Sequence, residues 1–301
     1  MVTSNSPVPV NIISNAVTQS CGVRLQLLRL DEVHPIVSGN KWFKLQHNLA
    51  EARRQGYDTL LTFGGAFSNH LVATAAACKA AGLRSIGVVR GQATLPLSPT
   101  LQDCRDIGMQ LHWIDRSTYR NTSDPALLHT LTQHYGPYYL VPEGGHNEAG
   151  ILGAEDIMPL VPAATTHICC AVGTGTTMTG LIRASASHQH IHGFAALKQG
   201  EYLAQEISQY TNRRNWTLQT AYHFGGFGKH TPGLIAFMNA FYHSFNIPLD
   251  FVYTAKMMSG ILQMLAEQAF PAGSVITAIH SGGLQGNRSV SDKLDWIANS
   301  F

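Results

Sequence analysis

The chain has 301 residues, about two domains' worth at roughly 100–200 residues each, so it can bury a core without a disulfide or metal staple. Hydrophobic residues make up 45% and charged residues only 13%, which excludes a disordered chain and points to surface hidden in an oligomer. The 20 basic and 18 acidic residues form no dense stripe, which excludes a sequence-independent nucleic-acid binder. No apolar run reaches the ~20 residues of a membrane span.

Met1 to Ser20 lacks a basic start and a continuous apolar stretch, so no secretory signal is read. The five scattered cysteines do not form a disulfide framework; Cys169 and Cys170, inside an apolar run, read as buried thiols. A reduced, cytoplasmic, globular protein is expected. Next comes Ser38-Gly39-Asn40-Lys41-Trp42-Phe43-Lys44, leading into a helix over Phe43–Gln55. Lys41 and Lys44, three apart, share a helix face, and like charges that close lower the pKa of one amine. An amine so lowered suits Schiff-base chemistry; two solvated lysines at a helix start are the plainer alternative.

The strand Thr59–Phe63 runs into Gly64-Gly65-Ala66-Phe67-Ser68-Asn69-His70 and a helix over Asn69–Ala81. Ser68 is a good N-cap; with Asn69 and His70 it could also line a pocket for a carboxylate or a ring oxygen. Strands Ser85–Val89 and Tyr138–Val141 follow, the second ending at Pro142-Glu143-Gly144-Gly145. The strand His167–Val172 leads through Gly173-Thr174-Gly175-Thr176-Thr177 into a helix over Thr177–Ala186. Converging N–H groups there make either an anion site, most often for phosphate, or an ordinary tight turn. Met178 stands where a dinucleotide fingerprint needs glycine, and the first acidic residue onward is Glu201, so NAD is disfavoured.

His188, His190 and His192 would share one strand face, but no acidic or cysteine partner accompanies them, so no metal is expected. Helices over Leu234–Phe245 and Met257–Ala269, the second opened by Tyr253-Thr254-Ala255-Lys256, flank the last strand, Val275–Ile279, and its turn His280-Ser281-Gly282-Gly283. Continuous apolar strands alternating with helices predict an α/β fold with two doubly wound parallel-sheet domains. The smaller is placed at 51–148 and the larger at 1–50 joined to 149–301. Ligands in such folds sit at the carboxyl ends of the strands, where these loops lie.

Ser38-Gly39-Asn40-Lys41-x-x-Lys44-Leu45, Gly65-x-x-Ser68-Asn69-His70, Pro142-x-Gly144-Gly145, Gly173–Thr177, Val252-Tyr253-Thr254-x-Lys256 and His280-x-Gly282-Gly283 occur in this order. The set resembles the pyridoxal-phosphate-dependent (PLP) D-cysteine desulfhydrase / 1-aminocyclopropane-1-carboxylate (ACC) deaminase family, of the tryptophan-synthase-β-like fold (fold type II), over about residues 30 to 285. The resemblance implies a homodimer that takes PLP and a small amino-acid substrate. It implies that Lys41 holds the cofactor and acts as the base at the α-carbon, while Lys44 and Gly173, Thr174, Gly175, Thr176 and Thr177 bind the phosphate. Asn69 would meet the ring hydroxyl, and Ser68 with His70 the substrate carboxylate or a proton in transfer. Tyr253 would stand over the ring, and Thr254 near the pyridine nitrogen.

Two positions divide the family: its deaminases carry Glu after the tyrosine and Leu between His and Gly-Gly. Thr254 and Ser281 stand there in this chain, as in the desulfhydrase branch. A neutral hydroxyl leaves the pyridine a weaker electron sink, which suits loss of a good thiolate leaving group better than cyclopropane opening. D-cysteine, cleaved to pyruvate, ammonia and sulfide, is the expected substrate. ACC deamination, D-serine dehydration and racemisation are the alternatives that keep the cofactor. Phe227, in Gly226-Phe227-Gly228, replaces a tyrosine usual in the family; it weakens the ACC reading and motivates a non-catalytic binding protein, against which Lys41 is present.

Overall fold

A computed structural model describes residues 7–93 and 96–297. The first six and last four residues of the large domain drawn from the sequence therefore lie outside the described residues. The chain opens with β1 (Val10–Ile13), α1 (Ala16–Ser20), β2 (Arg24–Leu28) and α2 (Asn40–Arg54). β3 (Thr59–Gly64), α3 (Asn69–Ala81), β4 (Arg84–Arg90), α4 (Pro99–Ile107), β5 (Gln110–Ile114), α5 (Pro125–Tyr135) and β6 (Tyr139–Val141) follow. Next come α6 (Glu148–Glu155), β7 (His167–Val172), α7 (Thr176–Ala184), β8 (His190–Ala195), α8 (Tyr202–Ser208) and β9 (Trp216–Gln219). α9 (Pro232–Phe245), α10 (Thr254–Ala266) and β10 (Val275–Ile279) complete the set.

The strands form two sheets, one ordered β5-β4-β3-β6 and the other β1-β2-β10-β7-β8-β9. All pairs are parallel except β1 with β2, an antiparallel edge that the parallel reading did not anticipate. The link between them holds only a five-residue helix, too short for the crossover that a parallel pair needs.

The central strands are largely apolar because both of their faces are covered. On β7, Cys169 and Ala171 join a core with α9 and α10, while Ile168, Cys170 and Val172 join another beneath α6 and α7. Side chains alternate across a strand, so an unbroken apolar run serves two cores at once. Each fully buried Leu or Ile contributes about 1.5–3 kcal/mol. All five cysteines are free thiols. Among the described residues no helix is long and apolar enough to cross a membrane.

β7, β10 and α3 have the predicted bounds, but α10 begins three residues earlier than predicted and ends at Ala266. Gln268, at φ 56°, has already left the helical region. The histidine reading also changes. His188 lies in a turn before β8, and the imidazoles that meet are those of His190, His192 and His167. His192 bonds His167 at 3.0 Å and Thr217 at 3.1 Å, so its two nitrogens already have partners. Among the described residues no group of three His, Cys, Asp or Glu could hold a metal ion.

Candidate active site

The loops singled out in the sequence lie at the carboxyl ends of β3, β6, β7 and β10 and at the starts of α2 and α10. α2 starts from Gly39, whose φ of 68° and ψ of −149° only glycine adopts readily. A side chain there would also collide with the Ser281 carbonyl, which accepts the Asn40 N–H at 3.3 Å. That close approach sets Lys41 beside the last strand. Lys41 Nζ donates to Asn40 Oδ1 at 2.9 Å, and Asn40 Nδ2 donates to Thr177 Oγ1 at 2.7 Å. The lysine is thereby tied to the start of α7.

Burial lowers the Lys41 amine from 10.5 to about 8, and the charge of Asp250 opposes that fall. The like-charge effect expected from the lysine pair lands on Lys44, which burial and then Lys41 hold well below the usual lysine range. Lys44 is only 3% exposed, and its Nζ donates to Gly144 O at 3.1 Å. A Cβ on Gly144 would meet the Thr174 side chain at 2.9 Å, so this amine lies where the Pro142–Gly145 turn meets the glycine loop.

The loop after β7 enters α7 through Gly175, left-handed at φ 81°, with no side chain capping the helix. First-turn N–H groups left uncapped, beside a buried lysine amine, are a ready anion site. Thr174 Oγ1 and Thr176 Oγ1 lie 2.9 Å apart, and His146 Nδ1 lies 3.0 Å from Thr176 Oγ1. His146 is a contact that sequence reading missed, although it follows the singled-out turn directly.

On the facing sheet, Ser68 Oγ caps α3 by accepting from Leu71 N at 3.3 Å. Asn69 Nδ2 donates to Gly283 O at 3.2 Å, while its buried Oδ1 has no partner among the described residues. His70 Nε2 lies 3.0 Å from Thr62 Oγ1, which itself donates to Val141 O; the proton is assigned to Nε2 on that network. His70 Nδ1 is buried without a partner among the described residues, and burial, Lys41 and Lys44 hold this imidazole neutral, well below the usual histidine range.

Tyr253 closes the opposite side. A Cβ on Gly173 would fall 3.0 Å from its hydroxyl, and the Phe227 ring packs edge-on against it at 5.9 Å. Burial, then Asp250 and Glu143, push the Tyr253 hydroxyl up, so it stays protonated. Thr254 is not the isolated hydroxyl assumed from sequence. Its Oγ1 donates to Asp250 Oδ1 at 2.7 Å, and the same carboxylate accepts the N–H groups of Val252, Tyr253 and Thr254 at 3.0, 2.9 and 2.8 Å. Asp250 is fully buried and was also missed; a carboxylate four residues ahead of a helical threonine was its only sequence signal.

A model of the pyridoxal-phosphate dependent enzyme family matches residues 5–282. The chain belongs to that family. It is 27% identical over 307 residues to a mitochondrial bifunctional D-cysteine desulfhydrase/1-aminocyclopropane-1-carboxylate deaminase of Arabidopsis thaliana, covering 92% of this chain and 76% of the relative. It is 28% identical over 284 residues to a D-cysteine desulfhydrase of Yersinia pestis (strain Pestoides F), covering 85% and 86%. A solved ACC deaminase homologue superposes with a TM-score of 0.82 at 25% identity, covering 96% of this chain and 93% of the other. An O-ureido-L-serine synthase, at 13% identity and a TM-score of 0.67, shares the fold alone.

The residues present fit the family's cofactor. A phosphate matches the uncapped start of α7 beside Lys44, an aldehyde needs an amine like that of Lys41, and the orphaned Asn69 Oδ1 calls for a polar partner.

Proposed function

We propose that this protein is a PLP-dependent lyase that converts D-cysteine and water to pyruvate, ammonia and hydrogen sulfide. The observation that carries the reading is Lys41: an amine lowered to about 8, held by Asn40, on a chain with Thr254 and Ser281 at the branch-deciding positions. When bound, the cofactor supplies an electron sink for negative charge developing at the substrate's α-carbon.

Lys41 would hold the cofactor and then take the α-proton, a task suited to an amine that loses its own proton near neutral pH. Lys44, Gly173, Thr174, Gly175, Thr176 and Thr177 would bind the phosphate, and Asn69 the ring hydroxyl. Ser68 would orient the substrate carboxylate with the hydroxyl proton that capping leaves free, since Ser68 Oγ acts there only as an acceptor. Neutral His70 suits moving a proton better than attracting a carboxylate. Tyr253, kept protonated, can donate to the departing sulfur, with Phe227 and Ser281 walling the pocket. Thr254 would face the ring nitrogen with only lone pairs, because its proton goes to Asp250.

That last point favours a second reading. A carboxylate behind Thr254 strengthens the electron sink beyond what a lone hydroxyl allows, which brings ACC deamination nearer than the sequence argument did. We also propose the division into 51–148 and the remainder, a homodimer, and a cytoplasmic site supported by five free thiols.

The test is a panel of D-cysteine, L-cysteine, D-serine and ACC, assayed for sulfide, pyruvate and ammonia with and without Lys41→Ala. Sulfide and pyruvate from D-cysteine, reduced about 10³-fold or more by the substitution, are expected. Ammonia released from ACC alone would overturn the desulfhydrase reading in favour of the deaminase.

A further inference from the structure

Lys256 is 1% exposed, one of the largest fully buried side chains in the molecule, and its function is not absorbed by the roles above. Burying an ammonium is costly unless it is hydrogen-bonded. Here Nζ donates to Gly226 O at 2.8 Å and to Ala196 O, just past β8, at 3.4 Å. The Gly226 carbonyl also accepts the N–H of Lys229 at 3.0 Å.

Gly226 lies in a segment that would not hold its shape alone. Phe224, Gly225, Gly226 and Gly228 have φ of 49°, 93°, 111° and 65°, all in the left-handed range. Glycines are as free in the unfolded chain as they are permissive in the folded one, so such a turn needs an external tie. Between them stands Phe227, 51% exposed, too open for burial to fix it, with its ring edge-on to Tyr253. Tyr253 and Lys256 are the N-cap and third residue of α10, so one helix start presents the tyrosine and anchors the turn that brings the phenylalanine to it.

We propose that Lys256 is a positioning residue that ties the Gly226 carbonyl to α10 and so holds Phe227 against Tyr253, fixing the wall that receives the substrate's β-substituent. The placement of the substituent rests on the proposed lyase reading; the tie itself does not. A phenylalanine edge attracts sulfur and offers a hydroxyl nothing, so this wall favours a β-thiol over a β-hydroxyl.

The experiment combines amide hydrogen exchange across residues 220–230 of the substrate-free protein with kcat and KM for D-cysteine and D-serine. The variants are Lys256→Met, Lys256→Gln, Phe227→Ala and the Lys256→Met/Phe227→Ala pair. Lys256→Met is expected to speed exchange at 224–229 about tenfold or more, and Lys256→Gln, which keeps a donor, to restore much of the protection. Lys256→Met and Phe227→Ala should each raise KM for D-cysteine about tenfold with kcat within about threefold, and the pair should be no worse than Phe227→Ala alone. Unchanged exchange at 224–229, or additive losses in the pair, would overturn the proposal. Should Lys256→Met fail to fold, Lys256→Gln against Phe227→Ala carries the same comparison. A wild-type protein that turns over neither substrate would sink the lyase reading, while the exchange data would still decide the tie.

Discussion

α7 and α10 both begin at the site, one from Gly175 with no capping hydrogen bond from a side chain of the described residues and the other beneath the four-bonded carboxylate of Asp250. A helix start carries partial positive charge and unpaired N–H groups, and something negative must answer them. At α10 the chain supplies its own anion and buries it, which leaves a stiff platform for Tyr253 and Lys256. At α7 none of the described residues supplies one, and the Lys44 amine lies close by. The difference separates a start built to hold side chains still from one built to receive a negative group from outside.

Removing the internal anion should have the largest effect. Asp250→Ala strands three N–H groups and the Thr254 hydroxyl and should cost about 3 kcal/mol in urea unfolding. A loss below about 1 kcal/mol would show that α10 does not depend on that carboxylate. Lys44→Met sharpens the other side. It should weaken binding of pyridoxal phosphate and of competing inorganic phosphate about 10- to 100-fold, because a charge-assisted contact is lost. Its unfolding free energy should hold or rise, since an apolar stem replaces a buried amine whose charged form burial already penalises. Unaltered phosphate affinity would detach Lys44 from the α7 site.

The smallest effect expected is one of pH. An amine reacts with an aldehyde only when neutral, and the lowered Lys41 value makes the neutral form dominant above about 8 instead of 10.5. The rate of covalent cofactor capture by the substrate-free protein, followed by absorbance, should therefore rise with pH through a midpoint at about 8 and level off above it. Asp250→Asn, which removes the charge that opposes burial, should shift that rise to lower pH. A shift upward would mean that Asp250 does not act on Lys41 through its charge.

Much of this was legible in the sequence where one physical signal acts alone. β7 and β10 are apolar on both faces and end at polar or glycine turns, and α3 runs from a serine cap to left-handed Gly82. β5 was not read because it is an edge strand, half-exposed, in which Gln110 and His112 interrupt the apolar run. β8 begins in histidines, which read as surface until His167 and Thr217 engage them from neighbouring strands. Within the site, the loops could be seen because glycine and hydroxyl clusters are rare in any other setting. Asp250 and Lys256 could not, since a single charged residue reads as solvated until distant segments close over it. His280 reaches Asp250, and Gly226 reaches Lys256, only in the folded chain.

The strand order also dictates when the molecule can become an enzyme. β10 lies between β2 and β7, and Gln26 bonds Thr277 across 251 positions, whereas the smaller sheet closes within residues 59–141. A chain emerging from the ribosome can complete the smaller sheet early, but the larger one stays in two pieces, with raw edges on β2 and β7, until its last strand is made. Ser281 and Gly283 arrive with that strand, so Lys41 waits for its seat until residues 275–283 have been made, and a chain stopped before Val275 would present two sticky sheet edges and no site.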